Sequence, residues 1–275
     1  MNKAIIKKDY LKIINELQSH NKAYYEKDKP IISDQQYDIL KKKIFDLENK
    51  YKFLKSDQSP KESVGFKPSK NFQKVKHKVP MLSLSNAFNE EDLNNFEKKI
   101  LNFLSLKDSS TIEYSAEPKI DGISASLTYI KGKFIVGLTR GDGLEGEDIT
   151  QNLKTIKDIP ISITQKNFPE EIDIRGEVFI ENNDFKKIKE KFANPRNAAS
   201  GSLRQKNSKV TSKIPLKFIA YTHGFIKNME IDNQTEFLKN LKIWGFKTNP
   251  FNKKITNIKN LILNHKSLEE KRKEL

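Results

Sequence analysis

Lys119 stands in the run "AEPKIDG", residues 116–122, with Glu117 two positions before it and Asp121 two after. A lysine amine attacks an electrophile only when neutral, and an unperturbed lysine, with a pKa of about 10.4, is almost wholly protonated near neutral pH. Burial or a neighbouring cation favours the neutral form. A carboxylate opposes it unless that carboxylate takes the proton. On these residues alone Lys119 reads either as a solvated turn lysine or as a nucleophile beside a base, and Asp121 either as a turn cap or as that base. Further along come "TRGDGLEGEDIT", "IRGEVF" and "NPRNAASGSLRQ", which are expected to place Arg140, Arg175, Arg196 and Arg204 in Gly- and Asn-rich loops. Lysine supplies 46 of the 51 basic residues, so a chain that reserves four of its five arginines for such stretches is using the planar, bidentate guanidinium there. Those stretches are candidate phosphate contacts.

The elements that must position these residues change character along the chain. Ile6, Tyr10, Ile13, Ile14 and Leu17 recur at helical spacing, and Ser33 with Gln36 forms a capping box before Tyr37, Leu40, Ile44 and Leu47. Two helices joined by "NKAYYEKDKPIISD" are expected, then a boundary in the Ser-, Pro- and Lys-rich "SDQSPKESVGFKPSKNF". A third helix is expected from Asn89, with Leu93, Phe96, Ile100 and Leu104 on its apolar face. From residue 112 period-2 strands dominate, over 112–117, 123–130, 133–140, 172–180 and 216–222, with a hairpin turning at Lys131-Gly132. Short helices are expected near 183–192 and 235–244, the second closed by Gly245, and Ser267 with Glu270 reads as a capping box for a last helix. The class is α+β with an antiparallel sheet.

Composition narrows the function classes. A formal charge of +15 suits a polyanionic partner, and equally a lysine-rich proteome with solvated helix faces. There is no cysteine, hence no disulfide and no thiolate zinc site, and four scattered histidines argue against a metal cluster. No apolar run approaches the ~18 residues of a membrane span, and the charged N-terminus reads as a helix rather than a signal peptide. "GDGLEG", residues 141–146, matches G-x-G-x-x-G, but Asp142, Glu145 and Glu147 would set negative charge where a pyrophosphate meets helix N–H groups. A doubly wound dinucleotide fold is therefore not expected.

K-x-D-G, an R-G-D-G turn 21 residues later and "RGEVF" resemble the covalent nucleotidyltransferases: DNA ligases, RNA ligases and capping enzymes. Six ordered segments, "YYEKDKPIISDQQYDIL", "HKVPMLSLSNAF", "AEPKIDG", "TRGDGLEGEDIT", "IRGEVF" and "FANPRNAASGSLRQ", are similar in order and spacing to bacterial NAD-dependent DNA ligases. The resemblance implies a small helical subdomain and linker over 1–68 that binds nicotinamide mononucleotide, and an antiparallel-sheet, ATP-grasp-like nucleotidyltransferase domain over 69–275. It implies that Lys119 takes AMP from NAD in a phosphoramide bond, that Asp121 orients or deprotonates it, and that the AMP then activates the 5′-phosphate of a DNA nick. By the same resemblance Glu117, Gly122, Arg140, Glu177 and Tyr221 hold the adenosine, with Ser83 and Leu84 beside it. Core packing is the ordinary alternative for Tyr221.

Tyr24, Tyr25, Asp34, Tyr37 and Asp38 match the positions facing nicotinamide mononucleotide, where an aromatic pair can hold a cationic ring. Tyr25 replaces a histidine of some relatives, and "SPKESVG" departs from S-P-T-Q-x-V-G. Arg196 and Arg204 match arginines that hold DNA phosphates. Magnesium with NAD, nicked duplex DNA as partner, a monomeric state and a bacterial, cytoplasmic, nucleoid-associated setting belong to the same set of expectations. Relatives continue into a strand with D-G-V-V-I-K and a second motif lysine, then an OB-fold, a four-cysteine zinc module, helix-hairpin-helix repeats and a BRCT domain. Weak or absent self-adenylation and no nick sealing by this chain alone are therefore expected. A catalytically incomplete NAD- and DNA-binding remnant and an ATP-dependent RNA ligase or capping relative are the alternatives.

Overall fold

The computed structural model describes residues 3–25, 31–54, 72–107 and 110–272. Helix α1 spans Lys3–Tyr25 and α2 spans Asp34–Lys50. Ile6, Tyr10, Ile14 and Leu17 of α1 are buried against Ile44 of α2 and against Leu54, as the helical spacing requires. Tyr10 donates its hydroxyl to the buried Glu48 carboxylate at 2.8 Å and so ties the two helices at a polar point. The capping box is formed: Gln36 N donates to Ser33 Oγ, and Ser33 N donates to Gln36 Oε1. Helix α1 continues through Tyr25, so the front of the expected connecting stretch is helical. The linker "SPKESVG" and the boundary near residue 68 lie outside the described residues.

The remaining elements are β1 (Lys74–Lys76), α3 (Glu90–Phe103), β2 (Tyr114–Ala116), β3 (Ile123–Ile130), β4 (Lys133–Thr139), β5 (Glu145–Glu147), α4 (Thr150–Leu153), β6 (Glu171–Phe179), α5 (Asn182–Phe185), α6 (Pro195–Leu203), α7 (Ser208–Thr211), β7 (Lys217–Lys227), α8 (Gln234–Ile243), β8 (Lys253–Ile255) and α9 (Ile258–Arg272). A four-stranded antiparallel sheet runs in the order β4-β3-β6-β7, and two small antiparallel pairs, β1-β5 and β2-β8, stand beside it. The β3-β4 hairpin turns where expected, with φ of 48° at Lys131 and 74° at Gly132. The α+β expectation holds, and among the described residues no helix is long and apolar enough to cross a membrane.

The sheet is two-faced by alternation. Ile172, Ile174 and Val178 of β6 and Ala125, Leu127 and Tyr129 of β3 point to one side, where they meet Leu153, Ala198, Leu203, Phe237, Leu241 and Trp244 in the main core. Directly opposed pairs Thr128–Asp173, Ser126–Arg175 and Ser124–Glu177 put six polar side chains on the other side.

Three sequence expectations need correction. Helix α3 begins at Asn89, whose side chain accepts from Asp92 N, but the apolar stripe is not its buried face: Leu101 is buried while Phe96 and Leu104 are half exposed. Helix α9 packs beside it, and Tyr114 of β2 donates its hydroxyl to Glu97 at 2.8 Å. Ser267 is no N-cap, because α9 already starts nine residues earlier, where Asn257 Oδ1 accepts from Asn260 N. Arg175 lies in the middle of β6, not in a loop. Boundaries also shift: the 112–117 strand shortens to β2, β7 runs on to Lys227, and the 183–192 helix is α5 followed by a 3-10 turn over Lys189–Lys191.

Gly176 sits where β6 crosses β7 most closely. A Cβ there would come within 2.2 Å of Phe218 Cζ and 2.4 Å of Ile219 O. Gly176→Ala is expected to lower unfolding stability by about 1–3 kcal/mol, the usual scale for overpacking; urea unfolding followed by circular dichroism checks this.

Candidate active site

The polar face of the sheet is where the sequence-predicted residues converge. Glu177 points from β6 into this face with 8% exposure and accepts from Ser124 Oγ at 2.9 Å. Burial pushes its carboxyl up to about 7, against the opposing pull of the Ser124 hydrogen bond and of the charges of Arg196, Lys119 and Arg140. Three cations from three different segments therefore bear on one buried acid. Lys119 acts on it through space from the turn between β2 and β3, Arg140 from just past the end of β4, and Arg196 from the first turn of α6.

The turn carrying Lys119 is held down by its neighbours. Gly122 lies so close to β6 that a Cβ would meet Val178 O at 2.2 Å and Glu177 Cγ at 2.9 Å, so a larger residue would lift the lysine off the sheet. Asp121 is exposed and pairs with Arg196 Nη1 at 3.1 Å, which links the lysine turn to α6. The Lys119 side chain itself is exposed to solvent.

Tyr221 is placed by an irregularity. The β6-β7 register passes from Gly176–Ala220 to Arg175–Thr222, so Tyr221 is the extra residue of a bulge, a device that re-aims a side chain. It is half buried, and burial together with the Glu177 charge pushes its hydroxyl up to about 12. Glu117 accepts from Ser115 Oγ and from Gln234 Nε2, both at 2.8 Å, and Gln234 also donates to Tyr221 O at 2.6 Å. One glutamine thus spans the acid before the lysine and the bulge.

Sequence reasoning missed three supporting residues. Ser124 was visible as the polar member of the alternating "ISASLTYI". Gln234, at the start of α8, carries no local signal, because its role depends on α8 packing beside β7. Arg175 was taken for a phosphate contact; it donates instead to Pro80 O at 3.1 Å and to Val79 O, strapping residues 77–81 across the sheet. Met81 N then donates to Gly143 O and His77 N to Leu144 O, so this segment is pinned to the R-G-D-G turn. Ser83 and Leu84 follow it and are exposed, Leu84 by 77%.

The second loop arginine is committed within the protein. Arg204 Nε pairs at 2.9 Å with Glu147, which is fully buried at the end of β5, so the acid that spoiled the glycine-motif reading anchors α6. In the helix pair Tyr37 donates to Asn21 Oδ1 at 2.8 Å, and Asp38 is half buried one turn from Lys41. Burial holds the Lys41 ammonium below its usual range, with Asp38 opposing and Arg140 reinforcing the shift, so α2 lies within electrostatic reach of the R-G-D-G turn. The side chains of Tyr24, Tyr25 and Asp34 lie outside the described residues.

An antiparallel sheet whose buried polar face carries an acid ringed by Lys and Arg, beside a lysine-bearing turn, defines a nucleotidyltransferase domain of the α+β class. Residues 69–275 match the NAD-dependent DNA ligase adenylation domain, and residues 3–65 match the DNA ligase-like, N-terminal NAD+-binding domain. The chain belongs to the NAD-dependent DNA ligase adenylation domain family. It is 77% identical over its full 275 residues to a DNA ligase of Pelagibacter ubique, covering 41% of that protein. It is 46% identical to a DNA ligase of Parvibaculum lavamentivorans over 94% of this chain and 37% of the relative, and 40% identical to one of Geotalea uraniireducens over 100% and 42%. The chain thus spans about two fifths of the length of these curated relatives.

The Glu177 shift has a sign that can be measured. Because its folded pKa lies above the unfolded value, the folded state keeps a proton that the unfolded chain has lost, and stability falls as pH rises from about 4.5 to about 7. Glu177→Gln removes that ionisation. The variant is expected to match the parent near pH 4.5 and to be the more stable by on the order of 2–3 kcal/mol above pH 7.5; denaturant unfolding of both proteins across that range tests this.

Proposed function

We propose that this chain is the part of an NAD-dependent DNA ligase that loads AMP onto Lys119, divided into a nicotinamide mononucleotide-binding subdomain over 1–68 and an adenylation domain over 69–275. The single observation that supports the reading best is the seating of the Lys119 turn over the buried Glu177: Gly122 of that turn lies against Glu177 Cγ, and Asp121 of the same turn pairs with Arg196. A cationic rim over a buried acceptor suits a nucleotide, whose phosphates meet the cations and whose ribose hydroxyls donate to the carboxylate.

NAD supplies an activated adenylyl group whose leaving group is nicotinamide mononucleotide. In this reading Lys119 Nζ attacks the α-phosphorus, the bond to the leaving group breaks, and the lysine proton passes to a base, for which Asp121 stands nearest in sequence. Arg140 meets the phosphate or ribose. Glu177, held by Ser124, accepts from the ribose; Tyr221, aimed by its bulge, stacks on adenine; Glu117, fixed by Ser115 and Gln234, reads the base or steadies the lysine turn. Gly122 keeps that turn close to the sheet. Ser83 and Leu84 line the adenosine side, and Tyr24, Tyr25, Asp34, Tyr37 and Asp38 face the nicotinamide half. Arg196 holds a backbone phosphate of nicked duplex DNA, the substrate class this reading assigns, while Arg204, expected from its motif to do the same, is tied to Glu147 and fixes the helix that carries Arg196. Among the described residues no group of three or more acidic or histidine side chains is arranged to hold a metal ion. Magnesium therefore enters only as a companion of the nucleotide phosphates, and no step is routed through it.

Intact mass after prolonged incubation with NAD and magnesium tests the assignment. One adenylyl group is expected to accumulate slowly with NAD and not with ATP, and to be absent in Lys119→Ala. Persistence of the adduct in that variant would place the nucleophile elsewhere. Neither an adduct nor saturable binding of nicotinamide mononucleotide by calorimetry would overturn the reading.

A further inference from the structure

Away from Glu177, the small β2-β8 sheet carries two adjoining cavities. The first, of about 230 Å³, lies between β8 and α8 and is lined by Lys239, Lys242, Lys253, Lys254, Thr248 and Asn249 among others. The second, of about 450 Å³, lies between β8 and α9, with Thr256, Asn260, Asn264 and Ser267 on its wall, and it shares Lys253 and Lys254 with the first. The two form one groove across β8. Neither lining contains an aspartate or a glutamate.

The charges that face the groove can be counted residue by residue. Lys239 pairs with Glu236 at 2.8 Å and Lys254 with Glu113 at 2.7 Å, both acids being exposed at the rim. Among the described residues Lys242 and Lys253 have no such acid. Polar groups underneath are uncommitted among the described residues: Thr248 Oγ1 is buried without a partner, and the buried Asn249, which lines the first cavity, accepts from Phe251 N through Oδ1 at 2.9 Å, leaving its amide N–H groups as the free donors. Asn252 Oδ1 is buried and unpartnered too, and a flip of that amide turns a donor inward. A buried polar group left unpaired costs about 1–3 kcal/mol, so a groove built this way is incomplete without an acceptor-rich ligand.

We propose that this groove holds the sugar-phosphate backbone of a nucleic-acid strand, DNA on the reading above, on which the choice of DNA rests. Compact ammonium groups over amide and hydroxyl donors suit phosphate oxygens, and the set contains no aromatic platform and no arginine fork for reading bases. Contact there is sequence-independent. Two cavities sharing a pair of lysines suit successive phosphates of a polymer better than one free anion. The groove adjoins the candidate active site at Ser115, which lines the first cavity and donates to Glu117. It is distinct from α6, where Arg196 and Arg204 lie.

Fluorescence anisotropy of a labelled nicked duplex, titrated with the whole chain across a salt series, tests the proposal. Lys242→Ala/Lys253→Ala is expected to reduce the slope of log K against log salt by about 2, roughly one for each lost lysine–phosphate contact, for any duplex sequence. Lys242→Arg/Lys253→Arg is expected to restore it. Both exchanged side chains, Lys242 and Lys253, are exposed, so both variants keep the fold. A parental slope in the alanine variant overturns the groove, as does a parent chain without DNA affinity. The mass assay with NAD, run on the same variants, reads the adenylation proposal separately: a normal adduct with a parental slope removes the groove alone, and a reduced slope without an adduct removes the adenylation reading alone.

Discussion

Strand β6 is buried on both faces, and one of those faces is polar. That constraint organises the rest of the molecule, because each polar group taken from water there needs a partner or remains a cost. Thr128 donates to Asp173 at 2.6 Å, Arg175 gives its guanidinium to two carbonyls of the strap over the sheet, and Ser124 donates to Glu177. The first two pairings are structural. Among the described residues Glu177 is left with one neutral donor for a charge that needs more, as Arg175 Nε is left without a partner, and burial pushes the Glu177 carboxyl up. In the proposed reading the ribose hydroxyls of a nucleotide supply the further donors.

The cations that answer Glu177 arrive on elements with independent anchors. Arg140 closes β4, where its carbonyl lies 3.1 Å from His77 Nε2 and so is joined to the same strap that Arg175 holds. Arg196 is tied through Asp121 to the lysine turn, and α6 itself is anchored by Arg204 on the buried Glu147. Exposed pairs such as Asp121–Arg196 contribute little stability, about 0–1 kcal/mol, so this one is better understood as alignment of two loops than as a strut. The Glu147 partner is fully buried, and removing Arg204 would leave a charge with fewer ways to be satisfied.

Where sequence reading went astray, the cause was a local pattern whose outcome depends on distant packing. The apolar stripe of α3 is a valid helix signal, yet which part of a helix is covered depends on what lies beside it: Leu101 is buried, Leu93 and Ile100 are half buried, and Phe96 and Leu104 are exposed. Ser267 and Glu270 have capping spacing, but a capping box forms only where a helix begins, and Asn257 had already begun this one. Arg175 sits before a glycine and looked like a loop residue; the strand continues through that glycine because β7 approaches too closely there for any side chain.

By itself the sequence determined the helix pair with its capping box, the alternation that makes β3 and β6 two-faced, the Lys131-Gly132 turn, and the residue types at Lys119, Arg140, Glu177, Arg196 and Tyr221. These are read locally, since periodicity, turn chemistry and motif spacing involve neighbours within a few positions. Only the tertiary structure decided that three cations from separate segments lie within electrostatic reach of one buried carboxyl, that Tyr221 is aimed by a bulge, that Gln234 joins Glu117 to the Tyr221 backbone, and that Arg204 is bound to Glu147. Each of those depends on strand register and long-range packing, where burial and charge act through space and not along the chain.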